Sequence, residues 1–282
     1  MEGKPIIYYF YTSFYSQKVL MFLNENEVEF EGCVVHLLKG ETQSPWYLGI
    51  NPRGEVPAMK VGDTIINGSD NILEYMEVNK LGKESLYPTD PDQLTKHDYF
   101  LDKLNPLPID AITYGTAFFP EIRTVKKYPI RWPMTKFMKN TMLNRSAVLR
   151  QKAAENSGTP AEAVLLAKAE EHDKRTHIFT DEDEHRRMLQ EVRDILDEVE
   201  KELALHQNTS WLVGERFTVA DCILSIVLNR LHFLGHEDYM SQDVRPMLAA
   251  WWGRVKARKS FIKSTESPNI LLYMLKTKIG LI

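Results

Sequence analysis

The sequence predicts an α/β domain followed by an all-helical one. Three observations carry this. Residues 4–84 mix short β-rich runs with helical periodicity. Tyr87-Pro88-Thr89-Asp90-Pro91 then interrupts the pattern as a proline-punctuated linker. In the remainder, 92–282, strand signals vanish and long helical patterns take over. A length of 282 residues suits two such domains.

In the first half, Ile6 to Phe10 reads as a strand and Ser16 to Asn24 as a helix. Glu29 to His36 is a second strand and Val56 to Val61 a third. Asp63 to Asn67 follows the Val61-Gly62-Asp63 turn signal as a fourth. Ile72 to Asn79 is again helical. A β-α-β unit followed by β-β-α implies a small mixed sheet. In the second half the helical pattern breaks at Asn105-Pro106-Leu107-Pro108, at Tyr128-Pro129 and at Ser157-Gly158-Thr159-Pro160. No internal repeat or low-complexity tract interrupts it.

Composition excludes several classes. Apolar residues make up 43% and charged residues 26%, an ordinary globular balance with ample material for a core. A formal charge of −4 argues against a nucleic-acid partner. Cys33 and Cys222 have neither metal spacing nor the numbers for a disulfide framework, so a reducing compartment is expected. The start, MEGKPIIYYF, has no secretory pattern, and no apolar run is long enough to span a bilayer. Charge is nonetheless uneven. Glu121 to Lys152 holds nine Lys/Arg against one acid, and Glu155 to Glu202 holds fifteen acids against seven bases. These runs read as solvated helix faces, or as two arms of one hairpin facing each other. Arg245 to Lys278 is basic again, with only Glu266 opposing.

Chemistry concentrates at four places. Tyr11-Thr12-Ser13-Phe14-Tyr15-Ser16 crowds hydroxyls at a strand-to-helix junction, where Ser13 reads either as an N-cap or as a catalytic hydroxyl. Asn51-Pro52-Arg53-Gly54-Glu55-Val56-Pro57 leads into a strand. A cis peptide at Pro57 would turn the Val56 backbone outward to pair with an extended ligand; the alternative is that Pro57 only shapes a turn. Asn67-Gly68-Ser69-Asp70-Asn71 precedes a helix that Ser69 or Asp70 would cap, and the positive end of that helix favours a carboxylate. Finally, Thr218 with Asp221 reads as a capping box opening a very apolar helix, hence folding machinery. His232 and His236 stand four apart without a third ligand nearby, so no metal site is expected. Trp251-Trp252 reads as core. Tyr114, Phe118 and Phe119 either line an interdomain cleft or belong to the core.

In this order, the first of these stretches with NPRGEVP, the Ser69 segment and GERFTVAD resembles the glutathione transferase superfamily, over about Lys4 to Glu84 and Leu189 to Phe261. The resemblance implies a thioredoxin-like first domain at 4–84 and a helical second domain at 92–282. It implies glutathione as the candidate ligand, bound through Val56, Pro57, Ser69 and Asp70, with Ser13 steadying its thiolate. Two departures stand out. The partner of Ser69 in holding the γ-glutamyl end is Gly68, which leaves Asp70 as the substitute acceptor. Phe14 and Tyr15 flank Ser13 and are expected to occupy the thiol pocket. The interval from Pro57 to Asp221 is also long by tens of residues, which implies a charged helical insertion at about 124–184.

Leu-Pro-x-Asp-Ala-x-Thr-x-Gly at 107–115, Asn229 to Gly235 and Arg254 to Phe261 narrow the match. With them the chain is identified as an invertebrate-type member of the ganglioside-induced differentiation-associated protein 1 family. That resemblance implies a non-standard transferase-like module on the cytosolic face of the mitochondrial outer membrane. The family's tail anchor is not in this sequence, and the basic run 245–278 would adjoin it. It further implies a role in mitochondrial network shape and fission through ligand and partner binding. The partners implied are cytoskeletal or mitochondrial-shaping proteins and a small hydrophobic or lipid-like ligand. Working transferase activity through Ser13 is the alternative.

Overall fold

The structure is a computed structural model, and it describes residues 3–125, 134–205 and 211–267. The sequence breaks at 128–129 and the basic and apolar segment beyond 267 lie outside the described residues.

The first domain runs β1 (Ile6–Tyr9), α1 (Phe14–Glu25), β2 (Glu31–Val34), α2 (Pro45–Leu48), β3 (Ala58–Val61), β4 (Thr64–Asn67) and α3 (Ser69–Val78). Its four-stranded sheet has the order β2-β1-β3-β4. β1 pairs parallel with β2 across the α1 crossover, while β3 pairs antiparallel with β1 and β4. The predicted mixed sheet is therefore present. The one-turn helix α2 was not read from the sequence; its four residues, with Pro45 at the first position, are too few to show a period.

α1 buries Val19, Met21, Phe22 and Leu23 and packs against the second domain's helices at Val219–Leu234 and Lys259–Thr265. Phe14 also points into this core. The expectation that it would fill the thiol pocket is corrected; only Tyr15, half-buried at the core edge, remains beside Ser13. α3 is capped neither by Ser69 nor by Asp70. Its N-cap is Gly68 at φ +90°, a conformation that strains any L side chain. Ser69 and Asp70 instead form the first helical turn.

The second domain is helical throughout its described residues. α4 (Pro91–Leu104), α5 (Ile109–Phe118), α9 (Glu182–Ala204), α10 (Val219–Leu234), α11 (Pro246–Lys256) and α12 (Lys259–Thr265) enclose the main core, with α10 buried along nearly its whole length. Asp221 fixes α10. Its buried carboxylate accepts from Leu212 N–H at 2.8 Å, Thr218 N–H at 2.9 Å, Thr218 Oγ1 at 2.8 Å and Trp251 Nε1 at 3.1 Å. The capping-box reading of Thr218 and Asp221 and the core placement of Trp251 both stand.

Between α5 and α9 come α6 (Met134–Leu143), α7 (Arg145–Glu155) and α8 (Pro160–Thr180). α7 and α8 form a hairpin turned at 156–159, and Arg150 of the basic arm pairs with Asp173 of the acidic arm. This is the two-arm reading of the charge runs. The hairpin has its own apolar cluster, Leu149, Ala153, Ala161, Leu165 and Ala169, which also takes in Leu48 of α2. The insertion is thereby seated on the first domain.

Two arginines of the basic run from Arg245 are built into the fold, while Lys256, Lys259 and Lys263 are exposed. Arg245 is buried against Asp197 and the carbonyl of Tyr239, and Arg258 stacks over Trp211 and Phe217 and pairs with Glu25.

Candidate functional site

Ser13 lies four residues beyond the end of β1 and caps α1. Its Oγ accepts from the Ser16 N–H at 3.3 Å, and its backbone is extended. A cap uses a lone pair and leaves the hydroxyl proton available for donation. Capping and thiolate stabilisation are thus compatible at this residue.

The Val56–Pro57 peptide is cis. Tyr47 Oη at 2.7 Å and Asn51 Nδ2 at 2.6 Å both donate to the Glu55 carbonyl, and Asn51 Oδ1 accepts from Arg53 N–H at 3.0 Å, so the loop is held from within. Val56 itself is buried, yet neither its N–H nor its C=O is bonded to any described residue. Buried backbone groups are ordinarily paired, so this donor–acceptor pair is suited to an extended ligand segment.

Ser69 is buried at the start of α3, and its Oγ donates to Asp70 Oδ1 at 3.3 Å. Asp70 is largely committed elsewhere. The same oxygen accepts from Lys18 Nζ at 2.7 Å, and Lys18 also donates to Asn105 Oδ1 at 2.8 Å. Burial pushes the Lys18 amine down, and Asp70 opposes this. The expected substitute acceptor for a ligand ammonium is therefore half-neutralised by a lysine of α1.

The second domain reaches this site at two points. From α10, Arg230 Nη2 donates to the Thr12 carbonyl at 2.6 Å, and Nη1 donates to Thr113 Oγ1 at 3.3 Å. From α8, Lys168 donates to the Arg53 carbonyl at 2.5 Å and lies 3.4 Å from Glu55, while Arg175 faces Asp110 at 3.4 Å. Tyr15 lies among these groups, and burial pushes its phenol up to about 12, so it stays neutral. Sequence reasoning missed Lys18, Arg230 and Lys168. Each acts on a residue far away in sequence, Lys18 on Asp70, Arg230 on Thr12 and Lys168 on Arg53, so its meaning appears only in the tertiary structure.

Tyr114 packs edge-on against Phe179, and Phe119 lies near His185, so these rings join the wall of the helical domain. Two surface depressions, of about 440 and 400 Å³, lie instead between α4 and α9, where charged side chains line them. They hold none of the groups above. The histidine pair read from the sequence does not form. α10 ends at Leu234, His232 is exposed beside Glu237, and His236 turns into the interior. Among the described residues no three His, Cys, Asp or Glu side chains cluster as metal ligands.

Comparison with known proteins agrees with this geometry. Residues 12–79 match the glutathione S-transferase N-terminal domain and 182–254 the C-terminal domain. The chain is 29% identical to human ganglioside-induced differentiation-associated protein 1-like 1, over 92% of this chain and 72% of that one. It is 25% identical to the tetrachloro-p-hydroquinone reductive dehalogenase of Sphingobium chlorophenolicum, over 93% and 96%. Among solved structures, beta-etherase LigF from Sphingobium sp. strain SYK-6 superposes with a TM-score of 0.64 at 23% identity, covering 93% of this chain and 98% of that one.

Proposed function

Since the chain belongs to the glutathione S-transferase superfamily, we propose that its interdomain site binds glutathione, or a ligand of that type, as a regulatory rather than a detoxifying event. One observation carries this reading: the unpaired backbone of buried Val56 beside cis Pro57, with Ser13 and Ser69 near the same edge. The extended backbone of the ligand pairs with Val56, and its terminal carboxylate lies at the start of α3 near Ser69. A plain hydrophobic ligand would leave the Val56 groups without partners.

Two features favour a regulatory role over routine turnover. Gly68 offers no side chain to the γ-glutamyl ammonium, and Asp70 is shared with Lys18. Ligand affinity is accordingly modest and suits a sensor of cellular thiol. In line with the family resemblance of its motifs, the module would sit on the cytosolic face of the mitochondrial outer membrane. There it would regulate network shape and fission, with the α7–α8 hairpin offered to cytoskeletal or membrane-shaping partners.

Calorimetric titration of glutathione into the purified chain tests the binding step. A Kd of about 1 mM or tighter is expected, weakened about five- to tenfold in Ser69→Ala by the lost hydrogen bond. No heat at millimolar glutathione would overturn it. Imaging the full-length protein in cells tests the location, and a purely cytosolic signal would remove the membrane role.

The free proton of Ser13 favours a second reading, an active transferase in which that hydroxyl donates to the thiolate. Turnover of an apolar electrophile that is lost in Ser13→Ala would establish it.

A further inference from the structure

We propose that Arg230 is the counter-charge of the interdomain site, stabilising the thiolate of a glutathione-type ligand held beside Ser13. This rests on the glutathione reading and deepens it.

Charge pairing around the site is the starting point. Lys18 has Asp70, Arg175 has Asp110 and Glu171, and Arg53 and Lys168 share Glu55. Arg230 differs from all of them. It is buried, and its described partners are a backbone carbonyl and a hydroxyl, with the face of Phe233 5.8 Å away. No described carboxylate pairs with it. A buried guanidinium without an anion is costly; burial pushes its pKa down to about 10, and Tyr114 and Tyr15 only partly offset this. It remains charged at neutral pH.

Its position gives that charge a use. The carbonyl that receives Nη2 belongs to Thr12, and the next atom along the chain is the nitrogen of Ser13. The guanidinium therefore sits against the same junction as the Ser13 hydroxyl and the start of α1. Among the described residues, the other titratable groups acting on this junction are Tyr15, Tyr114, Asp110, Arg175, Asp70 and Glu55, and the acids among them already have cations. The net charge left over at the site is the positive charge of Arg230. An acidic sulfur placed there meets that charge in a medium of low dielectric. The S–H bond breaks, the proton passes to solvent, and the thiolate remains with Ser13 Oγ–H and Arg230.

Ultraviolet titration of bound glutathione thiolate tests the proposal in the wild-type chain, Arg230→Gln and Arg230→Lys. S-methylglutathione, which has no thiol proton, is titrated in parallel. The bound thiol is expected about one unit or more below the free thiol, to rise by about as much in Arg230→Gln, and to stay low in Arg230→Lys. S-methylglutathione should bind the wild type and Arg230→Gln within about twofold of each other. An unchanged thiol titration in an Arg230→Gln chain that binds S-methylglutathione overturns the role of Arg230 alone. Failure of the wild type to bind S-methylglutathione overturns the glutathione reading and this inference with it. If Arg230→Gln does not fold, the wild type decides. Glutathione sulfonate, a permanent anion at the same position, should bind about tenfold tighter than S-methylglutathione, and equal affinity overturns the proposal.

Discussion

Lys168 Nζ lies 2.5 Å from the carbonyl oxygen of Arg53, so the insertion is fastened to the loop that carries Val56. Lys152 makes a second fastening, donating to the Gly40 carbonyl at 3.0 Å, and Leu48 packs into the hairpin's own apolar cluster. A charged insertion of this size could have projected freely; here it forms one wall of the candidate site. Lys168→Met should cost about 1 kcal/mol or less overall, yet hydrogen exchange at 52–56 should quicken clearly. Unchanged exchange would show that the contact does not hold the loop. Leu149→Ala, at a fully buried cluster position, should cost about 2–5 kcal/mol and release both fastenings.

Lys18 neutralises the residue expected to receive a ligand ammonium. Its amine is buried, whereas Asp70 is largely solvated. Lys18→Met therefore removes an expensive buried charge and leaves its partner in water. Asn105 Oδ1 loses its donor, at about 1–3 kcal/mol. With Asp70 free, glutathione should bind about two- to fivefold tighter, the worth of an exposed ion pair. Weaker binding on calorimetry would mean that the Lys18–Asp70 pair positions Ser69 and does not compete with the ligand.

His185 and His236 are both fully buried, and neither ring nitrogen of either is bonded to a described residue. Gly115 lets His185 approach, since a Cβ there would meet Nδ1 at 2.3 Å. Burial, aided by Arg186, holds His185 down at about 4. Burial also holds His236 at about 4, aided by His185, Arg193 and Arg123. An unfolded histidine titrates near 6.5, so between these values the unfolded chain binds more protons than the folded one. Stability is complete above about pH 6.5 and is lost as pH falls toward 4, by about 3 kcal/mol for each histidine. His185→Leu should flatten denaturant midpoints between pH 7 and 4.5. An undiminished acid slope would assign the loss to other groups.

Asp221 should prove indispensable for folding and silent in chemistry. Burial raises its carboxyl above the usual range, and the Leu212, Thr218 and Trp251 donors oppose that rise. Asp221→Ala strands those buried donors and removes the α10 cap, at about 3 kcal/mol or more. Chemical denaturation measures this directly. A stable Asp221→Ala chain would place the anchoring of α10 elsewhere.

The order of elements in the first domain, the linker before α4 and the cap of α10 were legible in the sequence because each depends on neighbours within a few residues. Alternation, proline positions and the Thr218–Asp221 spacing are local properties. Ser13, Val56, Pro57, Ser69 and Asp70 were joined into one candidate site by the family resemblance and not by any local rule. Misreadings arose where one local rule met another. Ser69 was expected as a cap because serine favours caps, but glycine at positive φ starts α3 one residue earlier. His232 and His236 stand four apart, the spacing of one helix face, but Gly235 ends the helix between them.

The sequence by itself determined most of the first domain's strands and helices and the cap of α10, since hydrogen bonding and periodicity act over a turn or a strand. Tertiary structure alone decided the electrostatics of the site. Lys18 meets Asp70 across 52 positions, Lys168 meets Arg53 across 115, and Arg230 meets Thr12 across 218. Whether a charge is matched depends on what burial brings beside it, and no local pattern encodes that distance.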